Sequence, residues 1–245
     1  MARAGIGDRV EGTHAVMAAV AAGRVTRLMV DESRSDPEVA ALISAAEAKG
    51  AEVEVVSNIA SVAVTDTPQG VVAHAKPIAP VDMETAVAAT TPAAVVVLDH
   101  LEDPRNVGAL ARSAVAAGIR SLVVPSRRAA PLGATAFKAA AGAFEHLSIA
   151  MVSSVADAVA RLRDLGVWVV GLDAAGEGSI FGLDLLAEPV ALVVGAEGGG
   201  LSRLVAERAD LVVSIPHAGP AESLNASVAA SLAMYEVART RGWVT

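Results

Sequence analysis

The chain contains no cysteine. That excludes disulfide staples, thiolate zinc sites and a cysteine nucleophile, and it fits a reducing compartment. Aromatic residues are scarce too, at 2% of 245 residues. With 53% hydrophobic residues, the core must be filled by Val, Leu, Ile and above all Ala, which buries little area per residue. Long apolar runs are missing. VVVL at 95–98 is among the longest, far short of the ~20 residues a membrane span needs. The opening MARAGIGDRVEG has no apolar h-region, so the expectation is a cytoplasmic protein with no membrane partner. His14, His74, His100, His146 and His217 show no metal-ligand spacing such as HExxH, and no Gly-x-Ser-x-Gly elbow occurs. Neither a metal site nor Ser-His-Asp chemistry is expected.

Acidic residues vanish locally. Net charge is −8, which argues against non-specific nucleic-acid binding. Yet 104–144 holds no Asp or Glu while carrying Arg105, Arg112, Arg120, Arg127, Arg128 and Lys138. One basic segment in an acidic chain points to a localised site for an anion, against the plainer reading of scattered surface arginines.

What is present reads as strands alternating with helices, hence an α/β protein with a parallel, doubly wound sheet. A first unit at 1–76 has a helix over 9–23 with Thr13 as its cap and strands at 25–30, 51–57 and 69–75. Its second helix opens at Asp36-Pro37 and closes at Gly50. Counted to Pro80 it holds seven Lys+Arg against ten Asp+Glu, so it is not basic overall. Residues 77–92, rich in Pro, Thr and Ala, read as a linker with room for a short helix near 83–89. The second unit, 93–245, starts with AAVVVLDHL, a strand buried on both faces. Val107, Leu110, Ala111, Ala114 and Val115 then form one helical stripe, with Asn106 at the N-cap and Gly118 just past the end. SLVVP is the next strand, an Ala-rich helix runs to about Glu145, and a helix at 155–166 leads to the strand VWVVGL.

Two crossings near the end organise the unit. VALVVGAEGGGLS (190–202) is a buried strand, a glycine turn from Gly195 to Gly200 and a helix start. IPHAGPAESLNASVAASLAMYE (215–236) is a polar loop from Pro216 to Glu222 and a small-residue helix, with Ser223 placed to cap it. Both lie at carboxyl ends of strands, where open α/β sheets bind ligands. GAEGGG is neither GxGxxG nor a P-loop, and Glu197 would repel phosphates. It suits a neutral or cationic nucleoside, or else is simply a tight turn. Ser223 and Asn225 in SLNAS are equally readable as helix caps, and Arg112 as a surface arginine.

NVGALARSA, GAEGGGLS and IPHAGPAESLNASVA in this order resemble the three signatures of the SpoU/TrmH family of RNA ribose 2′-O-methyltransferases, over residues 93–240. GTHAV at 12–16 and TPQGVVA at 67–73 resemble the small substrate-binding domain that many members carry. The resemblance runs closest to enzymes acting on a guanosine of 23S rRNA. It implies a small N-terminal α/β substrate-binding domain plus a C-terminal parallel-sheet domain tied in the SPOUT trefoil knot, an exception to the rule against knots. It implies S-adenosyl-L-methionine as cofactor, RNA as partner and a homodimer.

By position, the backbone at Gly195, Ile215 and Leu224 is expected to hold the adenosine, with Glu197, Gly198, Gly200, Pro216 and Ser223 around it. The implied catalytic set is Arg112, Asn106, Glu197, Ser223 and Asn225. Arg105, Asn106, Arg112, Arg127, Arg128 and Lys138 are expected to meet RNA. The family assigns Arg112 as base, but a guanidinium is better suited to stabilising an alkoxide. His217 departs from the family pattern at a loop position expected to be apolar. Three alternatives remain at this point: adenosine methylation of the thiostrepton-resistance type, a non-catalytic RNA- or nucleoside-binding regulator, and an NAD-dependent oxidoreductase.

Overall fold

A computed structural model describes residues 5–220 and 223–244. In chain order the strands are β1 (Arg9–Glu11), β2 (Val25–Asp31), β3 (Glu52–Val56), β4 (Val71–Ala75), β5 (Ala94–Leu98), β6 (Ser121–Pro125), β7 (Ser148–Val152), β8 (Trp168–Leu172), β9 (Gly178–Ser179), β10 (Val190–Val194) and β11 (Leu211–Ser214). The helices are α1 (Thr13–Ala21), α2 (Pro37–Ala48), α3 (Met83–Ala88), α4 (Pro104–Ala116), α5 (Ala134–Ala140), α6 (Val155–Asp164), α7 (Arg203–Arg208) and α8 (Ala226–Thr240). Two compact units divide them. One takes residues up to 79 together with 131–146, and the other takes 80–130 with 147 onward.

This division differs from the one expected at 77–92. Val81 bridges to Ala150, and Asp82 caps α3 by accepting from Thr85 N at 2.7 Å, so most of the supposed linker, from residue 80 on, is built into the second unit. Residues 131–146 return to the first unit, where Phe137 stacks on Phe144 with ring centroids 4.6 Å apart. A Cβ on Gly7 would fall 2.2 Å from the Phe137 ring, and Gly7 has a positive φ of 62°, so glycine is required there twice over.

The first unit is a four-stranded mixed sheet in the order β1-β4-β2-β3. Its opening differs from the expected helix over 9–23. Residues 9–11 pair antiparallel with β4, and α1 is entered through Gly12 at φ 88° with no side-chain cap. Thr13 is thus the first helical residue, its amide donating to Gln69 Oε1 at 3.2 Å. A three-residue edge strand is too short to announce itself by alternation. α2 follows expectation: Asp36 accepts from Val39 N at 3.2 Å, Pro37 fills the first turn and Gly50 closes it at φ 79°. Glu11 is fully buried, and its carboxylate is satisfied by the amides of Val64 at 2.6 Å and Thr65 at 2.9 Å.

The second unit is built on a seven-stranded sheet in the order β7-β6-β5-β10-β8-β11-β9, with every pair parallel. β5 and β10 are buried along their whole length, as runs of Val and Leu covered on both faces should be. Val95, Val97, Ala191 and Val193 face one core with Val159 and Leu162 of α6 and Val205 of α7. α8 packs on α4 and β10. β7 went unforeseen, because the Ala-rich helix was expected to continue to Glu145. It ends at Ala140: Ala141 and Gly142 take left-handed φ of 49° and 94° and turn the chain into a 3-10 segment and then β7. With all strands parallel, the carboxyl ends of β5, β8, β10 and β11 share one edge of the sheet.

Candidate active site

Four loops meet at that edge. After β10, Gly195 to Gly200 close on themselves: Ala196 N donates to Gly200 O, and Gly200 N donates back to Ala196 O, both at 3.1 Å. A Cβ on Gly195 would lie 2.2 Å from the Gly200 carbonyl oxygen, so the turn admits no side chain there. Two carboxylates pin its exit. Asp173, after β8, accepts from Leu201 N at 3.1 Å, and the buried Asp99, after β5, accepts from Ser202 N at 2.6 Å. Neither aspartate was anticipated. Each is the polar residue directly after a buried apolar strand, a signal that sequence reading passed over.

The turn, the segment after β8, the loop after β11 and the start of α8 line a cleft of about 660 Å³. Of the residues expected around a cofactor, Gly195, Glu197, Gly198, Gly200, Ile215, Ser223 and Leu224 line it, while Pro216 does not. Asp173 and His217 line it in addition. His217 therefore borders the cleft, at a position where an apolar residue was expected. The expected loop 216–222 extends onto Ala221 and Glu222, which lie outside the described residues.

The capping candidates resolve differently at the two helices. Asn225, not Ser223, caps α8: its Oδ1 accepts from Ser227 N at 2.9 Å and Val228 N at 3.3 Å. Asp103, not Asn106, caps α4, accepting from Arg105 N at 2.8 Å, and Gly118 ends that helix with φ 85° as expected. Freed from capping, Asn106 bridges the site. Its Nδ2 donates to Glu197 Oε1 at 2.5 Å, and its Oδ1 accepts from Asn225 Nδ2 at 3.1 Å. Three residues from the three signature segments thus form one directed relay ending on a carboxylate. Ser227 supports it by donating to Asn225 Oδ1 at 2.6 Å. One turn on, the hydroxyls of Ser113 and Ser231 lie 2.7 Å apart and join α4 to α8.

The expected RNA-facing cations divide. Arg105, Arg112, Arg127 and Arg128 are exposed in the second unit, and their side chains make no hydrogen bond or ion pair among the described residues. Arg112 does not line the cleft. Lys138 belongs to the first unit, and its ammonium donates to the carbonyl and hydroxyl of Thr67. Among the described residues no helix is long and apolar enough to cross a membrane.

Comparison with known proteins accords with this geometry. Residues 93–235 match the SpoU rRNA Methylase family, and residues 9–81 match the RNA 2'-O ribose methyltransferase substrate binding domain. A TrmH family tRNA/rRNA methyltransferase of Staphylococcus saprophyticus is 34% identical over 241 residues, 96% of each chain. A tRNA/rRNA methyltransferase of Mycobacterium ulcerans is 47% identical over 162 residues, where the match spans 66% of this chain and about half, 52%, of that longer protein. Among solved structures, the SpoU methyltransferase AviRb from Streptomyces viridochromogenes superposes with a TM-score of 0.80 at 28% identity, covering 96% of this chain and 90% of that one. The same enzyme in complex with AdoMet gives 0.79. The chain belongs to the SpoU/TrmH family of RNA methyltransferases, a family whose methyl donor is S-adenosylmethionine.

Proposed function

We propose that the chain transfers a methyl group from S-adenosylmethionine to a ribose 2′-oxygen of RNA, on a guanosine of large-subunit rRNA. The observation that carries this reading is the Asn225–Asn106–Glu197 relay, which joins the three signature segments at the mouth of the 660 Å³ cleft. A non-catalytic regulator would have no need of such a relay, and a dinucleotide-dependent oxidoreductase would place its glycine turn after the first strand of the sheet domain.

The cleft suits the donor. Its walls combine apolar Leu172, Val213 and Ile215 with open backbone at Gly198 and Gly199, and with the carboxylates of Asp173 and Glu197 for a cationic group. Gly195, Ile215 and Leu224 would hold the adenosine by their backbone. When bound, the donor supplies an electrophilic methyl on a sulfonium. The protein must then align the 2′-oxygen with that methyl and favour its alkoxide character. Asn106 is fixed by hydrogen bonds on both of its amide atoms, so it offers a rigid support beside the acceptor. Arg112, exposed and unpaired among the described residues, is free to neutralise the developing alkoxide or an adjacent phosphate. Arg105 and Arg127 add backbone contacts that do not read sequence.

The quaternary and topological readings belong here as well. α8 exposes Val228, Leu232 and Tyr235 at 47%, 39% and 45%, spaced along one face, which supports a homodimer through that helix. β10 enters between β5 and β8, and the chain returns from β11 beyond them to pack α8 on α4, which supports a trefoil-knotted path. An RNA substrate supports a cytoplasmic location.

Calorimetry with S-adenosylmethionine, S-adenosylhomocysteine and NAD, alongside mapping of 2′-O-methyl positions in rRNA from a deletion strain, tests the reading. Binding of the first two ligands and one missing guanosine mark are expected. Arg112→Ala should keep cofactor affinity and lose about 100-fold in turnover. Binding of NAD alone, or a complete set of marks, would overturn the proposal.

A further inference from the structure

A second cleft, of about 350 Å³, shares Gly199 and Gly200 with the larger one. Its other walls include Asp99, His100, Glu102 and Arg128. Two properties separate it from an ordinary surface dent.

The first is how its base is built. The Asp99 carboxylate is wholly buried and engaged through both oxygens: Oδ2 accepts from Ser202 N at 2.6 Å, and Oδ1 lies 2.7 Å from His100 Nδ1. That contact puts the imidazole proton on Nδ1 and fixes the ring. His100 and Arg128 both adopt left-handed backbone, with φ of 61° and 51°, although neither is glycine. Such conformations persist where the surrounding structure imposes them, and they gather at functional sites. Here two of them border one cleft.

The second property is a pair of opposite, solvent-exposed charges that no described residue pairs. Arg128 and Glu102 line the same small cleft, yet neither forms an ion pair or hydrogen bond with the other, or with any other described residue. A ligand that answers both must offer adjacent acceptors to a guanidinium and adjacent donors to a carboxylate. Among the RNA bases guanine does so, with O6 and N7 on one edge and N1–H and N2–H₂ on another. Adenine sets a donor beside N7 and has no pair of adjacent donors. Cytosine and uracil lack a second edge of this kind.

We infer that this cleft receives the guanine base of the nucleotide whose ribose is methylated. Arg128 reads O6 and N7, Glu102 reads N1–H and N2–H₂, and the Asp99–His100 pair forms the fixed wall. Because the cleft shares the glycine turn with the cofactor cleft, base recognition and methyl transfer are served by one rigid loop. The inference rests on the methyltransferase reading above and adds the residues that choose the base.

The full-length protein is given S-adenosylmethionine and rRNA from cells lacking the gene, and the methylated nucleotide is identified. Synthetic RNA spanning that position is then prepared with guanosine, inosine (which lacks the N2 amino group) or 7-deazaguanosine (which lacks N7). For the natural protein, kcat/KM should fall about tenfold with each analogue. Glu102→Gln should lose about tenfold on guanosine and nothing further on inosine. Arg128→Asn, which tolerates the left-handed backbone, should lose about tenfold on guanosine and nothing further on 7-deazaguanosine. Cofactor affinity by calorimetry should be unchanged in both variants. If guanosine is methylated while both variants act like the natural protein, or if variant and analogue losses multiply instead of overlapping, the inference falls and the enzyme reading stands. If the mapped nucleotide is not guanosine, the base assignment falls. If the natural protein binds no S-adenosylmethionine and methylates no RNA, the enzyme reading falls and the inference goes with it.

Discussion

Asn106 and Glu197, 91 positions apart in the chain, are joined side chain to side chain at 2.5 Å. This bond ties the first turn of α4 to the glycine turn after β10, and it makes Asn106 a positioning element rather than a cap.

Asn106→Ala should therefore lower turnover by about 100-fold while changing cofactor affinity little, since small losses of alignment carry that penalty. Single-turnover methyl transfer at saturating cofactor measures it. A rate within twofold of normal would remove the relay from the mechanism.

Gly195→Ala should weaken cofactor binding without unfolding the protein. The new Cβ would sit 2.2 Å from a backbone oxygen of the same turn, so the turn itself must open. The Kd for S-adenosylmethionine should rise at least about tenfold, which is about 1.4 kcal/mol, with an unchanged circular dichroism spectrum. Unaltered binding would place the ligand outside this loop.

Arg127→Ala should weaken binding to every RNA alike and lower the slope of log K against log salt by about 0.7 to 1, as expected for one lost phosphate contact. Binding titrations over a salt series decide it. A sequence-dependent loss with an unchanged slope would mean that Arg127 reads a base.

Arg34, hydrogen-bonded to Asp36, holds that carboxyl at about 2, below its usual 3.8. A depressed carboxylate stabilises the fold above its unfolded pKa, and that contribution fades as pH falls from about 4 through about 2. Asp36→Asn retains a capping oxygen but cannot titrate. Its urea midpoint should thus decline less steeply than the natural protein's over that range. Parallel declines would show that the Arg34 pair does not contribute.

The parallel sheet, the glycine turn and the three signature segments were legible because buried strands, glycines and helical stripes leave local patterns. Capping was less legible. Asp103, Asn106, Ser223 and Asn225 are all good capping types, and only the three-dimensional path decides which of them meets a free helix amide. Asp99 and Asp173 escaped notice because their partners, the amides of Ser202 and Leu201, are distant in sequence. The return of 131–146 to the first unit was illegible for the same reason. Nothing local in the Ala-rich stretch 131–146 announces that Phe137 and Phe144 fill the other unit's core.

That excursion has a consequence for biosynthesis. A ribosome releases the four strands of the first unit long before it releases Phe137 and Phe144. During that interval β1 and Gly7 lack the aromatic pair that covers them, and the nascent unit must wait, incompletely sealed, while β5, α4 and β6 are made. Folding in the cell cannot then proceed as one finished domain followed by another, because the first closes only after the second has begun.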